Sequence, residues 1–208
     1  MPDNPAMTLP DIDPALPNVL LIGDSISVGY TLPVRNQLKG QANVFRPLIN
    51  GGPTIRGLEL LDEWLGDTDW SVIHFNFGLH DLKYMDKEGG MANPPESGTQ
   101  QVPIDEYESN LDKIVVRLKQ TGAHLIWCNT TPIPEGSSGR IKGDADRYNE
   151  AASRVAAKHN LAVNDLYSFA LERLDSIQRP ANVHFSDDGS AVLGSQVVVA
   201  ILDGLERQ

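Results

Sequence analysis

Residues 18–25 read Asn18-Val19-Leu20-Leu21-Ile22-Gly23-Asp24-Ser25. Four apolar residues in a row, bounded by Asn18 and Gly23, do not alternate with polar ones. A strand buried on both faces of a parallel sheet needs that pattern. The run passes through Gly23-Asp24-Ser25 into a helical pattern over Ser27–Lys39. Strand, tight turn and helix make the first half of a βαβ unit.

The same unit recurs along the chain. Further strands are predicted at Asn43–Phe45, Ser71–Phe75 and His124–Cys128, and a weaker one at Leu161–Val163. Helical patterns separate them at Ile55–Leu65, Ile104–Gln120, Asp144–His159, Asp165–Leu174 and Ser190–Leu205. In the long Ile104–Gln120 segment Tyr107, Leu111, Ile114, Val115 and Leu118 recur at helical spacing. Gly122 follows as a C-terminal stop. Strand–helix alternation with right-handed crossovers predicts one α/β domain, a flavodoxin-like three-layer α/β/α fold with a parallel sheet of about five strands. We expect residues 1–17 to be an N-terminal extension and residues 18–208 to be the domain.

The chain has 208 residues, enough for a full core without disulfides. Its formal net charge of −11 argues against nucleic-acid and anionic-membrane partners, which it would repel at long range. That balance still leaves room for a small basic site. The single cysteine, Cys128, lies in the run His124–Cys128 and reads as a buried strand residue. No 18-residue apolar stretch is evident, so no membrane-spanning helix is expected. Residues 1–17 are rich in Pro and Asp and lack the basic and apolar regions of a signal peptide. A cytoplasmic protein, or an exported one stripped of its signal, would both read this way.

Two connections are long and rich in Pro and Gly: Lys83–Pro103 and Thr131–Gly143. Both leave strands at the carboxyl edge of the sheet, where open α/β sheets bind ligands. They are candidate walls of a substrate site.

Chemistry-bearing residues follow the strands in order. Ser25 sits on the first strand-to-helix turn, beside the positive end of a helix, where a nucleophile whose attack generates an oxyanion is well placed. A plain helix cap from Asp24 or Ser25 is the alternative. Neither a Gly-x-Ser-x-Gly elbow nor a Ser-x-x-Lys pattern is met, because Ser27 and Val28 occupy the deciding positions. After the second strand, Asn50-Gly51-Gly52-Pro53-Thr54 can bring backbone N–H groups close to a ligand. It is not a phosphate-binding motif, so no nucleotide cofactor is implied. The third strand runs into Gly78-Leu79-His80-Asp81, and Asn182-Val183-His184-Phe185 precedes the last helix. His80, Asp81 and His184 could alternatively bind a divalent ion, but no His-Glu-x-x-His helix or cysteine pair supports a metal.

Together these blocks resemble the SGNH hydrolases, the GDSL esterase/lipase superfamily, over about Asn18–Leu205. Thr130-Thr131-Pro132-Ile133-Pro134 and Tyr148-Asn149 are also familiar in such proteins. The resemblance implies a cofactor-free serine esterase. Ser25 would be the nucleophile and His184 the general base. The Ser25 N–H, the Gly52 N–H and His80, standing in the place of the family's asparagine, would form the oxyanion hole, with Asp24 and Asp81 as supporting candidates. The family's usual Asp three residues before the histidine is replaced by Ala181. A backbone carbonyl or another partner would then hold the His184 ring, with Asp187 and Asp188 more in keeping with a cap on the last helix. The implied substrate is a small-molecule or carbohydrate ester, with short O-acetyl groups leading. An O-acyltransferase using the same serine and a catalytically weak carbohydrate-binding protein are the alternatives.

Overall fold

The computed structural model describes residues 4–207. Residues 1–3 of the expected extension, and residue 208, lie outside the described residues. β1 (Asn18–Ile22) leads into α1 (Ser25–Gln37), followed by β2 (Asn43–Phe45), α2 (Thr54–Leu65) and β3 (Val72–Phe75). β4 (Tyr84–Met85) and β5 (Thr99–Gln100) pair as a small antiparallel ribbon. The chain continues through α3 (Ile104–Lys119), β6 (His124–Cys128), α4 (Asp144–His159), β7 (Ala162–Asn164), α5 (Leu166–Leu171), α6 (Leu174–Ile177) and α7 (Asp187–Leu205).

Five strands form one sheet in the order β2-β1-β3-β6-β7, with every pair parallel. This is the expected α/β/α fold. Val19, Leu21, Ile22, Ile73 and Phe75 are fully buried, because helices cover both faces of the strands that carry them. α1 and α7 pack together on one side, and α2, α3 and α4 pack in sequence on the other. Small residues set two of these spacings. A side chain at Gly194 of α7 would meet Pro33 of α1, and one at Gly57 of α2 would press into Phe77 and Ile114. The strand order reverses between β1 and β3, and that reversal opens a crevice at their carboxyl ends.

Several expectations need correction. The Lys83–Pro103 connection contains the β4–β5 ribbon, whose two-residue strands are too short to leave a period in the sequence. Asp165–Leu174 is two short helices rather than one, broken at Arg173. The last strand is Ala162–Asn164, one residue later than predicted, because its register is set by Ile126, Trp127 and Cys128 of β6. α7 begins at Asp187, three residues earlier than predicted, and Ser186 is its cap, accepting from the Gly189 N–H at 2.9 Å. Asp187 and Asp188 therefore sit in the first turn and are not the cap. α7 is also long and apolar enough by composition to cross a membrane, contrary to expectation. Leu193, Val197 and Ile201 are buried against the sheet and α1, while Val199 faces outward.

The described part of the extension, residues 4–17, packs on the domain. Arg35 of α1 donates to the carbonyls of Pro5 and Thr8 (3.2 and 2.8 Å), and Asn43 of β2 donates to those of Asp13 and Leu16 (2.8 and 3.2 Å). The two long loops are joined where the Tyr84 N–H donates to the Gly139 carbonyl at 2.8 Å. They stand side by side above the carboxyl edge.

Candidate active site

The first turn is built around Asp24. Its Oδ1 accepts from the Ile26 N–H at 2.9 Å, which makes Asp24 the N-cap of α1 and Ser25 its first residue. The Ser25 N–H therefore has no acceptor within the helix. A side chain at Gly23 would collide with Ser27, so only glycine lets the strand turn this tightly. Arg46, just past β2, lies buried beneath the turn. Its guanidinium donates to Ser27 Oγ (3.1 Å), Thr31 Oγ1 (2.9 Å) and the carbonyls of Gly23 (3.4 Å) and Pro47 (3.2 Å). Burial lowers its pKa to about 10, with the charges of Tyr30 and Asp24 opposing that shift, so it stays charged at neutral pH.

The second loop passes directly over the first. The Gly51 N–H donates to the Gly23 carbonyl at 3.1 Å, and a Cβ at Gly51 would fall 2.8 Å from that oxygen. Gly52 has φ of +64°, the left-handed region. Its N–H already donates to Asn50 Oδ1 at 2.9 Å. Arg56, one turn into α2, donates to the Asn50 carbonyl at 3.2 Å and lies against Gly52.

The third loop is locked by Asp81. Its Oδ1 accepts from the Thr54 N–H (2.8 Å) and the Thr54 hydroxyl (2.5 Å), so this carboxyl caps α2 from a different loop. Asp81 is fully buried and its Oδ2 has no hydrogen-bond partner. Burial pushes its pKa from 3.8 up to about 7, against the two hydrogen bonds from Thr54. His80 precedes it and is partly buried. Burial lowers the His80 pKa, Asp24 opposes, and Lys83, Arg140 and Arg56 lower it further. The net effect favours the neutral imidazole.

Opposite stands the fourth loop. Ser25 Oγ and His184 Nε2 are 2.9 Å apart. The other ring nitrogen, Nδ1, is 2.8 Å from Asn182 Oδ1, which also accepts from the His184 N–H at 2.9 Å. A backbone N–H only donates, so the atom it faces is the amide oxygen. That oxygen in turn requires a proton on Nδ1. Nε2 is then left with a lone pair toward the Ser25 hydroxyl, the tautomer a general base needs. Burial lowers the His184 pKa, Asp24 opposes, and Arg140 and Arg179 lower it further. Gln178 fastens this loop, donating to the carbonyls of Pro132 (2.9 Å) and Val183 (3.1 Å).

The partner of His184 is thus neither a backbone carbonyl nor Asp187 or Asp188, but the side chain of Asn182. Ala181, where the resemblance implies a carboxylate, has φ of +48°. Asn182 was missed because its offset from His184 is two residues rather than three. Arg46 left no signal in the sequence at all. Asn149 holds the Thr130 backbone from both sides (2.8 and 2.9 Å), and the Tyr148 hydroxyl donates to the Val102 carbonyl at 2.6 Å. Among the described residues, no three His, Cys, Asp or Glu side chains are grouped to hold a metal ion.

The sequence profile of the GDSL-like lipase/acylhydrolase family matches residues 21–192. No curated protein matches the chain. Solved structures do. An acetyl xylan esterase, AlAXEase, superposes with a TM-score of 0.71 at 17% identity, covering 88% of this chain and 99% of its own. The lipase/acylhydrolase from Enterococcus faecalis gives 0.68 at 22%, covering 89% and 95%. Axe2, an acetylxylan esterase from Geobacillus stearothermophilus, gives 0.71 at 19%, covering 89% and 94%. Identities this low carry the fold and nothing finer.

The Asp81 clamp has a consequence for stability. A carboxyl whose pKa is raised by folding contributes stability below its ordinary value, and that contribution is lost as pH rises through about 7. Asp81→Asn keeps an acceptor for Thr54 and abolishes the titration. Urea midpoints of the two proteins should move apart in favour of the variant as pH rises from about 4 to about 8. A constant difference across that range would show that Asp81 does not titrate there.

Proposed function

This chain belongs to the GDSL-like lipase/acylhydrolase family, a family of carboxylic ester hydrolases, and we propose that it cleaves short acyl esters, O-acetyl groups on carbohydrates first among them, through a Ser25 acyl-enzyme. The observation that carries the proposal is the 2.9 Å contact between Ser25 Oγ and a His184 Nε2 whose lone pair is fixed by Asn182.

In the first half-reaction His184 takes the Ser25 proton as Oγ bonds to the ester carbonyl carbon. The carbonyl π pair moves to oxygen. Collapse of the tetrahedral intermediate expels the alcohol, which receives the proton from His184, and leaves acetyl on Ser25. Water then enters with His184 again as base, and acetate leaves as Ser25 regains its proton. The oxyanion is received by the free N–H of Ser25, the Gly52 N–H, which it shares with Asn50 Oδ1, and the neutral His80 ring donating its one N–H. Asn182 offers no negative charge to the imidazolium that forms. The site therefore relies on orientation and tautomer where a carboxylate would also supply attraction. Acetylated sugars are favoured by the acetyl xylan esterases among the structural relatives. A cleft beside the His184 loop, lined by Pro132, Pro134, Tyr167, Leu174, Gln178 and Arg179, offers both apolar faces and polar edges to a sugar ring.

An organophosphonate should label the protein stoichiometrically at Ser25, and Ser25→Ala should abolish both labelling and turnover of p-nitrophenyl acetate. Labelling that survives the substitution, read by mass spectrometry, would remove the acyl-enzyme.

Asn182→Ala should lower kcat by on the order of 10², short of the ~10⁴ lost with a triad carboxylate, while Asp187→Asn and Asp188→Asn leave it within about threefold, given their place in an exposed turn. Because burial depresses the His184 pKa, kcat/KM should rise with pH to a plateau through a midpoint below the 6.5 of a free imidazole. Asn182→Asp should move that midpoint upward, since a carboxylate stabilises the imidazolium. An unmoved midpoint would show that position 182 does not face the catalytic base.

His80→Ala should cost about 10²–10³ in kcat, as loss of one oxyanion donor does elsewhere, and His80→Asn should recover most of it. Equal losses in the two variants, measured at saturating p-nitrophenyl acetate, would take His80 out of the oxyanion hole.

A further inference from the structure

Although the chain carries a net charge of −11, three of its cations gather beside the site. Arg56 occupies the space where a Gly52 side chain would project, with Nη1 2.8 Å from that Cβ position, and donates to the Asn50 carbonyl. Lys83 closes the turn that begins at His80, its N–H donating to the His80 carbonyl at 3.4 Å. Arg140 reaches in from the other long loop. Its Nε donates to the carbonyl of Leu79 (2.9 Å), the residue before His80, and its Nη1 to that of Ser138 (3.2 Å). Three positive residues, one from α2 and one from each long loop, thus gather beside Gly52 and His80, the two oxyanion candidates on that side, and all three charges act on His80.

These cations differ from the ones that pair across the helices. Arg117, Arg154 and Lys158 pair with Asp62, Glu108 and Asp112 at 2.6–2.8 Å. Arg56, Lys83 and Arg140 have no carboxylate at ion-pair distance among the described residues. Asp24 acts on Arg140, and its Oδ1 is engaged by α1. Like charges drawn partly out of water oppose one another. Burial lowers the pKa of Lys83, and the charges of Arg140 and Arg56 lower it further. A bound anion would relieve that repulsion.

We propose that the ester cleaved here carries a carboxylate on its alcohol portion, as an O-acetylated uronic acid does, and that Arg56, Lys83 and Arg140 receive that carboxylate. The placement on the alcohol follows from the acetyl group being too small to bear a charge, and so it rests on the hydrolase reading above. The negative surface repels anions at a distance, so the preference is local to the site and is expressed in affinity.

Binding is measured by calorimetry on the Ser25→Ala protein, with fully O-acetylated methyl glucuronoside and its primary uronamide, the same sugar without the charge. The carboxylate should bind about tenfold more tightly at low salt, and the ratio should shrink in about 0.5 M NaCl. In the added double substitution Arg56→Gln/Lys83→Gln the ratio should fall below about twofold, the cationic contribution having been removed. Equal affinity for the two ligands, or a ratio that survives the double substitution, would overturn the proposal. Turnover by the Ser25 protein separates the two readings. A preserved binding preference with neither sugar deacetylated would sink the hydrolase and leave the anion site standing, whereas deacetylation of both with equal kcat/KM would do the reverse.

Discussion

The site depends on two places where backbone from one loop is held against another. The Gly51 N–H meets the Gly23 carbonyl at 3.1 Å, and the Asp81 carboxyl takes the N–H and hydroxyl of Thr54. The first contact needs a glycine, because a Cβ at residue 51 would fall within van der Waals distance of the Gly23 oxygen. The second uses a buried side chain to cap a helix belonging to a neighbouring loop, at the cost of desolvating a carboxyl. Between them they tie together the turns that carry Ser25, Gly52 and His80, which span 56 residues of chain. The parallel sheet makes this economical, since β1 and β3 deliver their loops to the same edge.

Electrostatics divides the site into two sides. On the His184 side the imidazole is held by an amide, so the proton position is set by hydrogen bonding alone. On the His80 side three cations lie around a neutral imidazole and depress its pKa further. Beneath both sits Arg46, a buried guanidinium bound by hydroxyls and carbonyls, which braces the turn that carries Ser25. A carboxylate at position 182 would have added a negative charge beside His184. Its absence leaves the whole mouth more positive than the chain's composition suggests.

Much of this was legible in the residues. The apolar runs at Asn18–Ile22, Asn43–Phe45 and His124–Cys128 match the observed strands residue for residue, because strand positions covered on both faces are filled by apolar side chains. Asp144–His159 matches as a helix, with its Ala-rich face buried and Asp144 the one charged residue drawn in with it. Elements that rely on partners were less legible. The β4–β5 ribbon consists of two-residue strands held by a cross-strand pairing that no local periodicity records. The break at Arg173 and the early start of α7 at Asp187 were likewise decided by neighbours, with Ser186 capping α7 and bonding the Ile177 carbonyl.

What the sequence determined by itself was the order of the chemistry: a serine after the first strand, glycines after the second, a histidine after the third and a histidine before the last helix. That order follows from the fold's rule that strand ends face one edge, which hydrophobic patterning alone can report. Tertiary structure decided the partners. Asn182 could be chosen over Ala181, Asp187 and Asp188 only once the left-handed backbone at Ala181 had turned the loop and aimed the amide at Nδ1. The gathering of Arg56, Lys83 and Arg140 was decided in the same way. Hydrogen-bond direction and charge proximity are properties of distance in space, and residues from a helix and two different loops acquire them only when the sheet brings those segments together.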